Sequence, residues 1–156
     1  MKINTIHPLH VLCFETETTF QDIFQYVRVV AHRLYKEAVK QDLEITGPIY
    51  WIYEGADGQP DTIFKLTIAL PVSYKKIELS GSAFKLKTLD PFHCVSQQHL
   101  GDWNKLGETY SQMIVEIQSG KLTMGGQNRE IYLNMDFENP ERNITEVQVG
   151  LVRNSV

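Results

Sequence analysis

The sequence predicts an α+β fold of two tandem strand–helix–strand–strand units, forming one antiparallel sheet with both helices on one of its faces. Three observations carry this. Residue types recur at a fixed offset, two segments place apolar residues at three- and four-residue spacing, and each is followed by a pair of β-type runs. The offset shows first in PLHVLCF at 8–14 against PFHCVSQ at 91–97, where Pro8 meets Pro91 and His10 meets His93, 83 residues on. The same offset carries Thr19 onto Asp102, Phe20 onto Trp103 and Ile23 onto Leu106. Later, Tyr53 and Tyr132, and likewise Thr67 and Glu146, stand 79 apart, so the second copy is four residues shorter between helix and strand. The reading is a single domain, 1–156, built of pseudo-repeats 1–73 and 84–156 with a linker at 74–83.

In the first unit a short apolar strand at 10–14 precedes a helix whose stripe is Phe20, Ile23, Phe24, Val27, Val30, Ala31, Leu34 and Ala38. Thr19, with Asp22 three residues on, reads as its cap. Strands at 49–53 and 61–72 then flank Gly55-Ala56-Asp57-Gly58-Gln59-Pro60, a turn-rich hairpin connection. In the second unit Trp103, Leu106, Tyr110, Met113, Ile114 and Ile117 form the stripe, Asp102 the N-cap and Gly120 the stop. Strands at 129–133 and 144–152 follow, around a loop at 136–142.

Composition excludes several classes of function. The chain of 156 residues is 42% hydrophobic, enough for a substantial core. It carries 15 Lys and Arg against 19 Asp and Glu, so no broad basic field awaits a phosphate backbone. No apolar run approaches the roughly 18 residues of a membrane helix. The N-terminal MKINTIHPLHVLCFE lacks a signal-peptide apolar stretch, and Cys13 and Cys94 make no disulfide framework. The expectation is a soluble cytoplasmic protein without a membrane partner. Because the two units account for the whole chain, no helix-turn-helix reader and no direct nucleic-acid binding are expected.

Motifs for phosphate loops, Cys-x-x-Cys pairs, zincin helices and nucleophile elbows are absent. His7, His10, His93 and His99 do not cluster as three or four convergent ligands, so neither metal nor cofactor is expected. Lys75, Lys76, Lys85 and Lys87 read as an edge defended by lysines. Asn143-Ile144-Thr145 matches a glycosylation sequon without a secretion signal to make it useful. Strand alternation leaves one carboxylate of interest. Thr145, Val147 and Val149 take the helix-facing side, and Glu146 sits mid-strand on the other, with Thr67 as its counterpart. Beside the aromatic positions Trp51, Tyr53 and Tyr132, a carboxylate suits an organic cation through charge pairing and cation–π attraction. It equally suits a general acid or base, the catalytic role Glu146 would take in an enzyme. The alternative is an edge glutamate in water with the aromatics as ordinary core.

Three short segments stand out: His99-Leu100-Gly101-Asp102-Trp103-Asn104-Lys105-Leu106, Glu130-Ile131-Tyr132-Leu133-Asn134 and Thr145-Glu146-Val147-Gln148-Val149. They resemble the helix entry, the Glu-x-Tyr-x-Asn segment and the closing strand of the GyrI-like domains, the effector-binding domains of AraC- and MerR-type multidrug regulators, which also occur free-standing. Gly47-Pro48 and Leu70-Pro71-Val72 recur likewise in the first half. Two departures stand out: Thr16-Glu17-Thr18-Thr19-Phe20 replaces a repeated glycine motif, and Gly150 a proline. The resemblance implies a concave ligand pocket between the halves. There the closing-strand glutamate, Glu146, would receive a lipophilic cation, with Tyr132, Tyr53, Trp51 and Tyr110 as walls. It implies a stand-alone protein that captures amphipathic or cationic organic ligands. It leaves open a small-molecule hydrolase using Glu146, a protein–protein inhibitor of the gyrase-inhibitor type, and a homodimer.

Overall fold

Apolar periodicity becomes two helices and the β-type runs become strands, in a computed structural model that describes residues 1–153. The order is β1 (Lys2–Ile6), β2 (Leu9–Thr18), α1 (Val29–Lys40), β3 (Tyr50–Glu54), β4 (Phe64–Pro71), β5 (Lys85–Leu89), β6 (Phe92–Leu100), α2 (Leu106–Ser119), β7 (Met124–Asn134) and β8 (Ile144–Leu151). The fold is α+β, and the strand ladders described below are antiparallel. No helix among the described residues is long and apolar enough to cross a membrane. Contacts divide the chain into two units, Pro8–Asp90 and Met1–His7 with Pro91–Val156.

In Pro8–Asp90 the strands lie in the order β3-β4-β2-β5, and α1 packs on β4 and β2. Alternation gives this small sheet two apolar faces. Val11, Cys13, Ile52, Ala69 and Leu89 form one cluster, which contains no helix residue. The alternate set, Leu12, Leu66, Ile68 and Leu70, therefore takes the side of α1, whose Val30, Ala31, Leu34 and Ala38 are buried. The expected hairpin is present, with Tyr53 opposite Leu66 and Trp51 opposite Ile68. β5 lies at the end of the order, where Lys85 and Lys87 occupy the lysine-guarded edge the sequence implied.

The first helix is shorter than its stripe predicts. Residues 23–26 form a 3₁₀ turn, and α1 begins only at Val29. Arg28 lies between them at φ 67°, with Val29 N–H bonded to the Val27 carbonyl at 2.8 Å. That backbone is closed to helix propagation. The apolar spacing ran on across the break because a 3₁₀ turn nearly preserves it. Thr19 caps nothing: its hydroxyl meets the Asp22 carboxylate at 3.3 Å.

In the other unit the order is β1-β6-β8-β7. β1, which the sequence reading left unassigned, pairs with β6 some ninety residues on, from Lys2 opposite Ser96 to Ile6 opposite Phe92. Met113 and Ile117 of α2 pack with Val95, Val147, Val149 and Leu151, so the helix-facing alternation read for β8 holds. Asp102 caps a 3₁₀ turn, Trp103–Lys105, accepting the Asn104 N–H at 2.9 Å; α2 itself begins only at Leu106, without a side-chain cap, and ends at Gly120 with Lys121 in the left-handed region. The sequon asparagine, Asn143, is 1% exposed and accepts the Asp136 N–H, which leaves no room for a glycan.

Candidate functional site

The candidate site lies on the helix-facing side of β7. Cross-strand pairing sets Glu130 opposite Val147 and Tyr132 opposite Thr145, so Glu130 and Tyr132 share the face on which α2 packs. Tyr110 of α2, one turn before Met113, reaches the same place. Its hydroxyl donates to Glu130 Oε2 at 2.7 Å, and that of Tyr132 donates to Oε1 at 2.7 Å. Glu130 is 6% exposed. A carboxylate so removed from water costs several kcal/mol, which charge-assisted hydrogen bonds offset at about 1.5–3 kcal/mol each.

Aromatic rings extend the cluster. Trp103 meets Tyr132 edge-on at 5.7 Å and Phe137 at 5.0 Å, and its indole N–H donates to Thr145 Oγ1 at 3.1 Å. His99 fixes the helix entry beneath. Its Nε2–H donates to the Asp102 carbonyl at 2.8 Å, leaving Nδ1 to face the Thr109 hydroxyl at 2.7 Å. The His-x-Gly-x-Trp segment thus locks the start of α2 and aims Trp103 and Tyr110 at the carboxylate's side of the sheet.

Among the residues the sequence singled out, Tyr110 and Tyr132 come together, around Glu130. Glu146 projects from the opposite face of β8, half-buried, and accepts from Gln148 Nε2 at 3.1 Å. Trp51 and Tyr53 belong to Pro8–Asp90, on the helix side of β3, with ring centroids 6.4 Å apart. Tyr53 also contacts Phe20 at 6.1 Å and Phe64 at 5.7 Å. Glu130 lies in the Glu-x-Tyr-x-Asn segment, but the strand pattern drew attention to Glu146 instead. The signal was available: Glu130 lies two residues before Tyr132, hence on the same strand face, and the offset of 79 makes it the counterpart of Trp51.

A second ionic feature lies on the face of Pro8–Asp90 away from α1. Glu15 takes Lys85 and Lys87 at 2.8 Å each and Lys65 at 3.6 Å. Partial burial pushes its pKa up, but hydrogen bonds from Lys85 and Lys87, with the fields of Lys87 and Lys65, outweigh that and hold it at about 2. Beside it, burial raises the Cys13 thiol to about 11, with Glu15 adding to the shift; burial raises Cys94 likewise to about 11.

Comparison with known proteins bears on both fold and family. Among solved structures, the C-terminal domain of EcmrR aligns with TM-score 0.75 at 15% identity, over 98% of this chain and 97% of that one. In the EcmrR–DNA complex the TM-score is 0.77 at 15% identity over 96% of this chain, which spans 56% of that protein's length. SAV2435 bound to tetraphenylphosphonium aligns at 0.64 and 16% identity, over 97% of this chain and 93% of that one. A hydrolase encoded by lin2189 from Listeria innocua aligns at 0.69 and 14% identity, over 97% and 91%. At such identities the likeness is one of fold. No curated protein matches this sequence significantly. The model of the GyrI-like small molecule binding domain matches residues 1–152, and the chain belongs to that family.

Proposed function

We propose that this protein captures amphipathic or cationic organic molecules, with Glu130 as the acidic contact and Tyr110, Tyr132 and Trp103 as its aromatic surroundings. The observation that carries the reading is a nearly buried carboxylate held by two phenols on the helix-facing side of β7, in a chain of a small-molecule-binding family. A cation approaching it gains charge pairing in a poorly hydrated place and about 0.5–2 kcal/mol from each well-placed ring. A relative of the same fold binds tetraphenylphosphonium, a ligand of this chemistry. In Pro8–Asp90 the offset of 79 makes Tyr53 the counterpart of Tyr132 and Trp51 that of Glu130, so that unit offers aromatic rings at the matching place without the acid. Two buried free thiols, Cys13 and Cys94, agree with a reducing, cytoplasmic setting.

Calorimetry with tetraphenylphosphonium and with neutral triphenylphosphine oxide tests this. The cation is expected to bind more tightly, and Glu130→Gln to weaken it by about 2–3 kcal/mol while leaving the neutral compound unchanged. Loss confined to Glu146→Gln would move the acidic contact to the other sheet face. Equal affinity for both compounds in wild type and both variants would end the reading. A hydrolase is the second reading, favoured by the two phenolic donors that flank a buried acid. Turnover of an electrophilic substrate abolished by Glu130→Gln or Glu146→Gln would establish it, and no turnover of any substrate by the wild type would remove it.

A further inference from the structure

A groove in Pro8–Asp90 has a character opposite to that of the Glu130 cluster. Arg33, Lys36, Glu37 and Lys40 recur at helical spacing on one stripe of α1, and that stripe faces the segment 80–84 across a groove of about 340 Å³. In a chain of net charge −4, these four side chains gather three cations against one carboxylate. The lone acid is engaged, since Glu37 accepts from Gln41 Nε2 at 3.1 Å. The carbonyl end of α1, which would repel an anion, is covered: Lys75 Nζ donates to the Gln41 and Asp42 carbonyls at 3.4 and 3.2 Å.

Two further features prepare the groove for an oxyanion. The Arg33 guanidinium lies 5.3 Å from the centroid of the buried Phe84 ring, which orients its planar fork at the groove wall. Ser82 Oγ accepts the Phe84 N–H at 3.1 Å, which leaves the hydroxyl proton to donate outward. Ser80 adds a second hydroxyl to the same lining, and Gly81, at φ 73°, makes the turn between them. An arginine fork, two lysines and a serine hydroxyl are the donors that phosphate oxygens take.

We propose that this groove is a binding site for a small multivalent oxyanion of the phosphate-ester class. Arg33, Lys36 and Lys40 supply its charge recognition and Ser82 a directed hydrogen bond. None of these residues belongs to the aromatic cluster around Glu130. The probe is inorganic pyrophosphate, titrated into the isotopically labelled protein at constant ionic strength and followed through backbone amide shifts. Saturable shifts are expected at residues 33–41 and 80–84. The double variant Arg33→Gln/Lys36→Gln is expected to raise Kd about tenfold or more, and Lys2→Gln to leave it unchanged. All three positions are exposed, and an unaltered spectrum outside the groove reports that the variants fold. Absence of saturable shifts, equal affinity in the double variant, or the same shifts from chloride at matched ionic strength would overturn the site.

Discussion

Glu15 shows how strongly one side chain here depends on its neighbours. Its carboxylate is 18% exposed and takes three lysines, which hold its pKa near 2, against an ordinary 4.5. A depressed folded-state pKa means stability that is fully present above about pH 4.5 and lost as pH falls toward 2. Denaturant midpoints measured from pH 7 to pH 3 are therefore expected to fall, with Glu15→Gln removing that slope. At pH 7 the variant should lose on the order of 1–3 kcal/mol, because three lysines are then left around a neutral group. The thiols give a second residue-scale expectation. With pKa values near 11, about one part in a thousand of Cys13 and Cys94 is thiolate at pH 8. Both should resist a disulfide reagent in the native protein and react together once denaturant unfolds it; rapid native labelling would contradict their burial.

At the scale of elements, a few residues set the approach to α2 and the closure of β8. Asp102 is the helix-entry cap, so Asp102→Ala is expected to cost about 0.5–2 kcal/mol in chemical denaturation. Thr109→Val keeps the shape but removes the hydroxyl facing His99 Nδ1, and should cost about 1–3 kcal/mol for a buried ring nitrogen left unpaired. Gly150 sits where the neighbouring backbone leaves no room for a side chain. It lies within β8, opposite Cys94, and a Cβ there would come 2.5 Å from the Gln127 carbonyl oxygen and 2.9 Å from the Phe92 ring. The backbone oxygen cannot step aside cheaply, so Gly150→Ala should destabilise by about 1–3 kcal/mol. An unchanged denaturation midpoint would show that β7 can shift.

For the whole molecule, a ligand that binds only the folded chain should stabilise it by about 2.7 kcal/mol at a hundredfold excess over Kd. That corresponds to about 5–10 °C in Tm for a chain of this size, readable in a thermal melt with tetraphenylphosphonium and diminished in Glu130→Gln. How far this organisation could be read in advance differs by feature. The succession of strands and helices was legible because the offsets of 83 and 79 align apolar stripes and strand tyrosines, even though the cap read at Thr19 does not form. The faces of β8 were legible because side chains alternate with a period of two, whatever packs above them. The candidate cluster was legible in part. Tyr110 and Tyr132 stand out in the sequence beside Glu146, since a charge interrupting an apolar strand is conspicuous there. Glu130 was not conspicuous, because what buries it is a phenol from α2, twenty residues away, and another on its own strand. β1 and the break at Arg28 escaped for a similar reason, one resting on a partner strand ninety residues on and the other on a single backbone angle. The sequence by itself determined the α+β class, the succession of strands and helices, the cap at Asp102, the stop at Gly120 and which residues share a face. Those depend on local propensity and periodicity, which are properties of neighbours along the chain. Tertiary structure alone decided which carboxylate lies among the tyrosines, which lysines hold Glu15 and where the cations of α1 meet a serine, because burial and charge pairing are properties of neighbours in space.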